Sequence, residues 1–220
     1  MLNTEFFNHD PITLARALLG KIIRRRYRNI WLSCRIIETE AYYLHEKGSH
    51  SSLGYTEKRK AMFMPAGTIY MYFAHGHDSL NISAKGKGNA VLIKSAFPYF
   101  DSLSPEKNLA IMQKLNPVKN SRQVRPKENL CAGQTLLCRA LDLKVSDWNQ
   151  KAFDPAIFYF DEVGKQPTQV IQTTRLGIHP ERDAHLMYRF IDYDFVKYCT
   201  RNPLTRRKAK EGRDYVSTTC

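Results

Sequence analysis

Between residues 31 and 42 the chain reads Trp-Leu-Ser-Cys-Arg-Ile-Ile-Glu-Thr-Glu-Ala-Tyr, an apolar run that turns into alternating carboxylates and ends in aromatics. Period-two alternation predicts a strand, with Glu38, Glu40 and Tyr42 on one face and Ile37, Thr39 and Ala41 on the other. A strand over residues 21–27 and a turn at Arg28-Asn29 would make it half of a hairpin. Upstream, Asp10 and Pro11 followed by Leu14, Ala15, Leu18, Leu19 and Gly20 predict a short capped helix with a glycine stop. Downstream, residues 67–77 form a β-rich run with Tyr70, Tyr72 and Ala74 on one face, a turn over residues 75–78 and a return strand over residues 80–84. Lys85-Gly-Lys-Gly-Asn89 then turns into a strand over residues 90–96. Helical patterns cover residues 104–115, opened by Ser104-Pro105-Glu106, and residues 128–141, where Leu130, Leu137 and Leu141 share a face. Further strands are predicted over residues 156–160, 170–174 and 186–191. Residues 116–127 read as a surface loop rich in Pro, Arg and Lys.

At 220 residues and 43% hydrophobic content the chain is long enough for one sizeable core. Thirty-four Lys plus Arg against 21 Asp plus Glu give a net charge of +13, which points to a polyanionic partner. The charge is clustered. Lys85, Lys87, Lys94, Lys107, Lys114, Lys119, Arg122, Arg125 and Lys127 form one group; Arg201, Arg206, Arg207, Lys208, Lys210 and Arg213 form another. Such groups suit phosphate contacts, which add affinity without reading sequence. Residues 203–220 are expected as a flexible basic tail on a single domain spanning 1–220. Five cysteines in no ligand spacing favour neither a disulfide framework nor a zinc site. With no signal-peptide pattern and no apolar stretch of spanning length, an intracellular protein with no membrane association is expected.

Paired acids on a strand are often only the solvated face of a half-buried sheet. A carboxylate beside an aromatic surface can also grip a flat substrate and activate water next to it. From the residues alone both readings stand. Ala15-Arg-Ala-Leu-Leu-Gly20, Ile37-Glu-Thr-Glu-Ala-Tyr42, His50-Ser51, Met62-Phe-Met, Gly67-Thr-Ile-Tyr-Met-Tyr72, Asn81-Ile-Ser83 and Leu130-Cys-Ala-Gly133 occur in that order. Their types and order resemble the alkyladenine (3-methyladenine) DNA glycosylase family, of methylpurine-DNA glycosylase type, from about residue 3 to about residue 192.

The resemblance implies an α+β fold: a single mixed domain with a curved, largely antiparallel sheet, flanking helices and a protruding DNA-intercalating β-hairpin. It implies a monofunctional base-excision-repair enzyme without lyase activity, acting on alkylated or deaminated purines of the 3-methyladenine, 7-methylguanine or hypoxanthine type in double-stranded DNA. Glu40 would be the general base, Lys94 would help to hold the attacking water, and the backbone carbonyl of Leu176, in Thr173-Thr-Arg-Leu-Gly-Ile178, would bind it. Tyr42, His50 and Tyr72 would sandwich the extruded base, Asn81 would line the pocket floor and His75 would intercalate. No metal, no cofactor and no obligate protein partner is implied, and a monomer is expected. The compartment would be cytoplasm or nucleoid in a bacterium and nucleus in a eukaryote.

Three positions depart from the family pattern. Lys94 stands where an arginine is usual, His75 where a tyrosine is usual, and residues 76–81 are one residue short. Those departures leave one rival reading, a catalytically weak or inactive damaged-DNA-binding protein on the same fold, and the positive surface with its aromatic residues leaves another, an RNA-binding protein. A two-carboxylate sugar glycosidase using Glu38 and Glu40 is a more distant one.

Overall fold

The computed structural model describes residues 1–74 and 76–219. The chain begins with two short helices, α1 (Thr4–Phe7) and α2 (Pro11–Leu18). Asp10 caps α2 by accepting from the N–H groups of Ile12 and Thr13, and Pro11 occupies the first turn, where its missing N–H costs nothing. Strands β1 (Ile22–Tyr27) and β2 (Ile30–Tyr42) follow as the expected hairpin, turning through Arg28 at φ 54°. The second hairpin is β3 (Ile69–Ala74) and β4 (His77–Ser83), and β5 is Ala90–Pro98. Helices α3 (Leu109–Leu115), α4 (Gln134–Ala140) and α5 (Val145–Trp148) precede β6 (Phe158–Asp161), β7 (Gln169–Thr173), β8 (Arg189–Asp192) and β9 (Tyr215–Thr219).

The nine strands make one antiparallel sheet in the order β3-β4-β5-β2-β8-β7-β9, with β1 beside β2 and β6 beside β1. Strand β2 is 13 residues long and changes neighbours along its length. Residues 30–35 pair with β1, and Glu38, Thr39 and Glu40 pair with β8. The architecture is the mixed α+β arrangement expected from the sequence.

Four local expectations are corrected. The return strand of the β3–β4 hairpin starts at His77, three residues earlier than the pattern indicates, because Ala74 pairs with His77 and Gly76 takes φ 78° in the connection. Residues 104–115 do not form one helix: a 3-10 turn at Glu106–Asn108 precedes α3, and the Ser104 hydroxyl donates to the Trp31 carbonyl. Residues 128–141 are broken by Gly133, at φ 109°, whose N–H goes to Ser95 Oγ at 3.0 Å while the Cys131 carbonyl accepts from Ala96. Strand β5 claims these backbone groups, so α4 begins only at Gln134. The segment expected as a flexible tail carries β9, paired with β7 along five residues and tied to α2 by Arg16 donating to Thr218. Tyr-Val-Ser-Thr-Thr is a β-favouring run that the preceding basic cluster obscures.

The sheet separates two apolar clusters. The larger holds α2 (Leu14, Ala15, Leu18) and α4 (Leu137, Cys138) with Ile69, Met71, Leu80, Ile82, Val91 and Ile93. The smaller gathers Ala61, Met62, Tyr70 and Ala90, with Phe63 and Tyr72 packed against it. Along β3, Ile69 and Met71 therefore enter the main core while Tyr70 and Tyr72 face the other way, as a period of two requires.

Two bulges interrupt that alternation. In the β2–β5 ladder Ile36 faces Ala96, Glu38 faces Ser95 and Thr39 faces Ile93, so Ile37 and Lys94 are each left without a partner. One extra residue reverses the facing of everything beyond it. On β2, Leu32, Cys34 and Ile36 enter the main core before the bulge and Ala41 enters it after. Glu40 and Tyr42 are thereby turned to the opposite face. Among the described residues no helix is long and apolar enough to cross a membrane.

Candidate active site

On the face away from the main core the sheet floors a pocket of about 490 Å³. Tyr42 comes from β2, Ala90, Leu92 and Lys94 from β5, Asn81 from β4, and Tyr70, Tyr72 and Ala74 from β3. Walls are added by residues 48–50, Met62, Gln134 and residues 176–179 with Arg182. Its size is that of a small-molecule site.

Glu40 is fully buried and is reached through three residues that do line the pocket. Its Oε2 accepts from the Tyr42 hydroxyl at 2.7 Å, and its Oε1 accepts from the Leu176 N–H at 3.4 Å. Lys94 Nζ lies 3.4 Å from Oε1. The bulge at Lys94 re-aims that side chain across the ladder toward the carboxylate. Burial alone would raise the Glu40 pKa, but the Lys94 and Arg189 cations and the donors from Tyr42 and Leu176 outweigh it, so the carboxyl is held below its usual range. It is ionised at neutral pH. Burial, and then the charge and hydrogen bond of Glu40, push the Tyr42 phenol well above its ordinary value, which keeps it a proton donor.

Glu38, two residues earlier, has another environment. Its oxygens accept from Arg189 Nε at 2.6 Å, from the Thr200 hydroxyl at 2.6 Å, from the Thr200 N–H at 3.0 Å and from Ser95. These donors tie β2, β5, β8 and residue 200 together beneath the pocket. The alternation that put Glu38 and Glu40 side by side in sequence gives one carboxylate to a structural network and one to the pocket.

His50 opens a 3-10 turn at the pocket rim, with Nδ1 3.3 Å from the Tyr70 hydroxyl. Its ring meets Tyr72 edge-on, at 4.3 Å between centroids and 67° between planes, while Tyr70 and Tyr72 stack at 5.4 Å. Partial burial, followed by the charges of Arg59 and Arg182, lowers the His50 pKa. Asn81 is buried and donates through Nδ2 to the Tyr70 carbonyl across the hairpin at 3.2 Å.

The fold therefore brings Tyr42, His50, Tyr72, Asn81, Lys94 and Leu176 to one pocket, with Glu40 directly behind it. Leu176 meets Glu40 through its N–H. His75 lies outside the described residues. Among those described, no cluster of three or more His, Cys, Asp or Glu side chains is placed to hold a metal ion.

Several contributors were not legible in the sequence. Arg175 and Glu46 form a buried pair beside Tyr42 across 129 residues of chain. Arg189 approaches Glu38 across 151 residues. Gln134 joins the pocket wall with a buried Oε1 that has no partner among the described residues. The Thr-Arg-Leu-Gly motif marked the segment holding Arg175 but not its partner.

The pocket thus has aromatic side chains in its lining and an ionised, buried carboxylate directly behind it. Comparison with known proteins gives that chemistry a context. The family model described as "Methylpurine-DNA glycosylase (MPG)" matches residues 5–195. A protein of Pseudomonas syringae pv. tomato is 60% identical over 215 residues, covering 98% of this chain and 96% of its own. One from Pseudomonas aeruginosa is 59% identical over 216 residues, covering 97% and 89%. A more distant one from Clostridium beijerinckii is 30% identical over 215 residues, covering 94% and 100%. All three bear the name "Putative 3-methyladenine DNA glycosylase". The chain belongs to the methylpurine-DNA glycosylase family.

Proposed function

We propose that this protein extrudes alkylated or deaminated purines from duplex DNA and hydrolyses their N-glycosidic bond, releasing the free base and leaving an abasic site. The observation that carries the reading is the buried, ionised Glu40 directly behind a pocket with aromatic walls. Glu40 accepts a proton from a water that attacks C1′ as the bonding electrons leave with the purine. Its negative charge also stabilises the positive charge that develops on the sugar. Lys94 and the carbonyl of Leu176 hold the water. Lys94, 3.4 Å from Glu40, is assigned to positioning the water, and no lyase step is proposed.

Tyr42 and Tyr72, with His50, sandwich the flipped base, a contact worth about 1–3 kcal/mol per base that tolerates different ring systems. The lowered His50 pKa keeps the imidazole neutral at physiological pH, so a cationic base such as 3-methyladenine meets no like charge there. Asn81 lines the floor and discriminates against the 2-amino group of guanine. The β3–β4 hairpin, on which Phe73 is 63% exposed, is the wedge that fills the space left in the stack, with His75 as its intercalating residue. The net charge of +13 supplies phosphate affinity. We expect a monomer.

The test is release of free base from duplex DNA carrying 3-methyladenine or hypoxanthine, comparing the natural protein with Glu40→Gln. Release by the first and its loss in the second is the expected result. No release by either, with abasic duplex still bound, would make the protein a damaged-DNA-binding module. Preference for RNA of equal length over abasic duplex would move it to RNA.

A further inference from the structure

The Glu46–Arg175 pair lies behind the pocket and lines none of it. The Arg175 guanidinium is buried. Nη1 donates to Glu46 Oε1 at 2.6 Å and to the Ala41 carbonyl at 2.9 Å, and Nη2 donates to Glu46 Oε2 at 2.8 Å. Glu46 Oε1 also accepts from the Tyr43 N–H at 2.9 Å. One ion pair thus joins the end of β2, the loop that follows it and the segment after β7. A Cβ on Gly48 would sit 3.1 Å from Arg175 Nη2, so the loop is packed closely over the guanidinium.

A buried pair of this kind is a poor stabilising device, because removing both charges from water costs about as much as their attraction returns. Its position says more. The central carbon of Arg175 lies 4.6 Å from the centroid of Tyr42 and 5.4 Å from that of Tyr188, so the guanidinium supports the Tyr42 ring. The next residue in the chain is Leu176. Tyr42 and Leu176 are the two uncharged donors to Glu40, one on each carboxylate oxygen. Arg175 is in contact with the first and covalently joined to the second.

We propose that Arg175, clamped by Glu46, is a positioning residue for the proposed reaction: it holds the Tyr42 hydroxyl and the Leu176 N–H on Glu40 at once, and so adds to the Lys94 and Arg189 cations in keeping the catalytic carboxylate ionised. The pair couples the base platform to the general base. Arginine is required because a lysine keeps the charge but not the planar fork that grips both Glu46 oxygens while lying on a ring.

The inference rests on the proposed reading of Glu40 as general base. The experiment is the pH dependence of single-turnover base release by the natural protein, Arg175→Lys, Glu46→Gln, Tyr42→Phe and the Arg175→Lys/Tyr42→Phe double variant, each corrected for folded fraction by circular dichroism. Loosening either donor raises the Glu40 pKa, so the acidic limb should move up by roughly one pH unit in Arg175→Lys and in Glu46→Gln. The Arg175→Lys and Tyr42→Phe shifts should be less than additive in the double variant, since both act on one hydrogen bond. A purely structural role would lower activity in proportion to folded protein and leave the limb in place. That outcome, or full additivity of the two shifts, overturns the proposal. If Arg175→Lys does not fold, Glu46→Gln and the Tyr42→Phe/Glu46→Gln pair carry the same comparison. Absence of release by the natural protein, or its persistence in Glu40→Gln, would instead overturn the reading of Glu40.

Discussion

The hydroxyl of Tyr42 donates to Oε2 of Glu40 at 2.7 Å, so the ring that walls the pocket also fixes the carboxylate behind it. Two residues apart on β2, they share a face, and a tyrosine is long enough to reach back along the strand. Tyr42→Phe keeps the platform and removes the donor. A hydrogen bond to a charged group is worth about 1.5–3 kcal/mol, so base release should fall by about 10-fold or more. The loss should deepen toward acid, because Glu40 then titrates at higher pH. Release rates from pH 5 to pH 8 check this, with lesion binding little changed.

The ammonium of Lys94 lies 3.4 Å from Oε1 of Glu40. In Lys94→Met burial would dominate and the carboxyl would become protonated nearer neutrality. Base release at pH 7 should drop by about 100-fold, within the range for losing a general base. Lys94→Arg should keep most of the activity. In the natural protein the lowered Glu40 pKa contributes stability that is present above about pH 4.5 and lost as pH falls through the folded value. Denaturant titrations from pH 3 to pH 6 should show the loss, reduced in Lys94→Met.

Arg189 neutralises Glu38 where both are buried. Arg189→Met leaves an unpaired carboxylate in the sheet and should destabilise the fold by about 3–5 kcal/mol. Glu38→Gln/Arg189→Met should recover part of that. Urea unfolding of the single and double variants measures both.

His50 has a lowered pKa, so as pH falls the unfolded chain takes up the proton first. Stability should therefore decline from about pH 6.5 downward and level off below the folded value. Replacing it by Gln should flatten this part of the profile. Release of a cationic lesion should weaken over the same range more than release of neutral hypoxanthine, since only the cation is repelled by imidazolium. Imidazole NMR titration locates the folded pKa directly.

The helix cap at Asp10-Pro11, the two hairpins and the alternation of Tyr70 and Tyr72 were legible because each depends on residues within a few positions of one another. Glu40, Tyr42, His50, Tyr72 and Asn81 could be named because the motif order carried them, and Lys94 because the family resemblance marks its position. The gathering of the other five around one pocket with Glu40 directly behind it, and the different fates of Glu38 and Glu40, could not be read there. The facing of Glu40 depends on the bulges at Ile37 and Lys94, and a bulge is a property of two paired strands, set by which register buries the most apolar surface without stranding backbone groups. The break at Gly133 and the pairing of β9 likewise reflect competition for hydrogen bonds by distant strands. Local pattern thus determined the elements and the chemistry available to this protein. The tertiary structure alone decided which carboxylate sits directly behind the pocket and which cations surround it, because Glu46 and Arg175, or Glu38 and Arg189, become neighbours only when segments more than 120 residues apart are packed together.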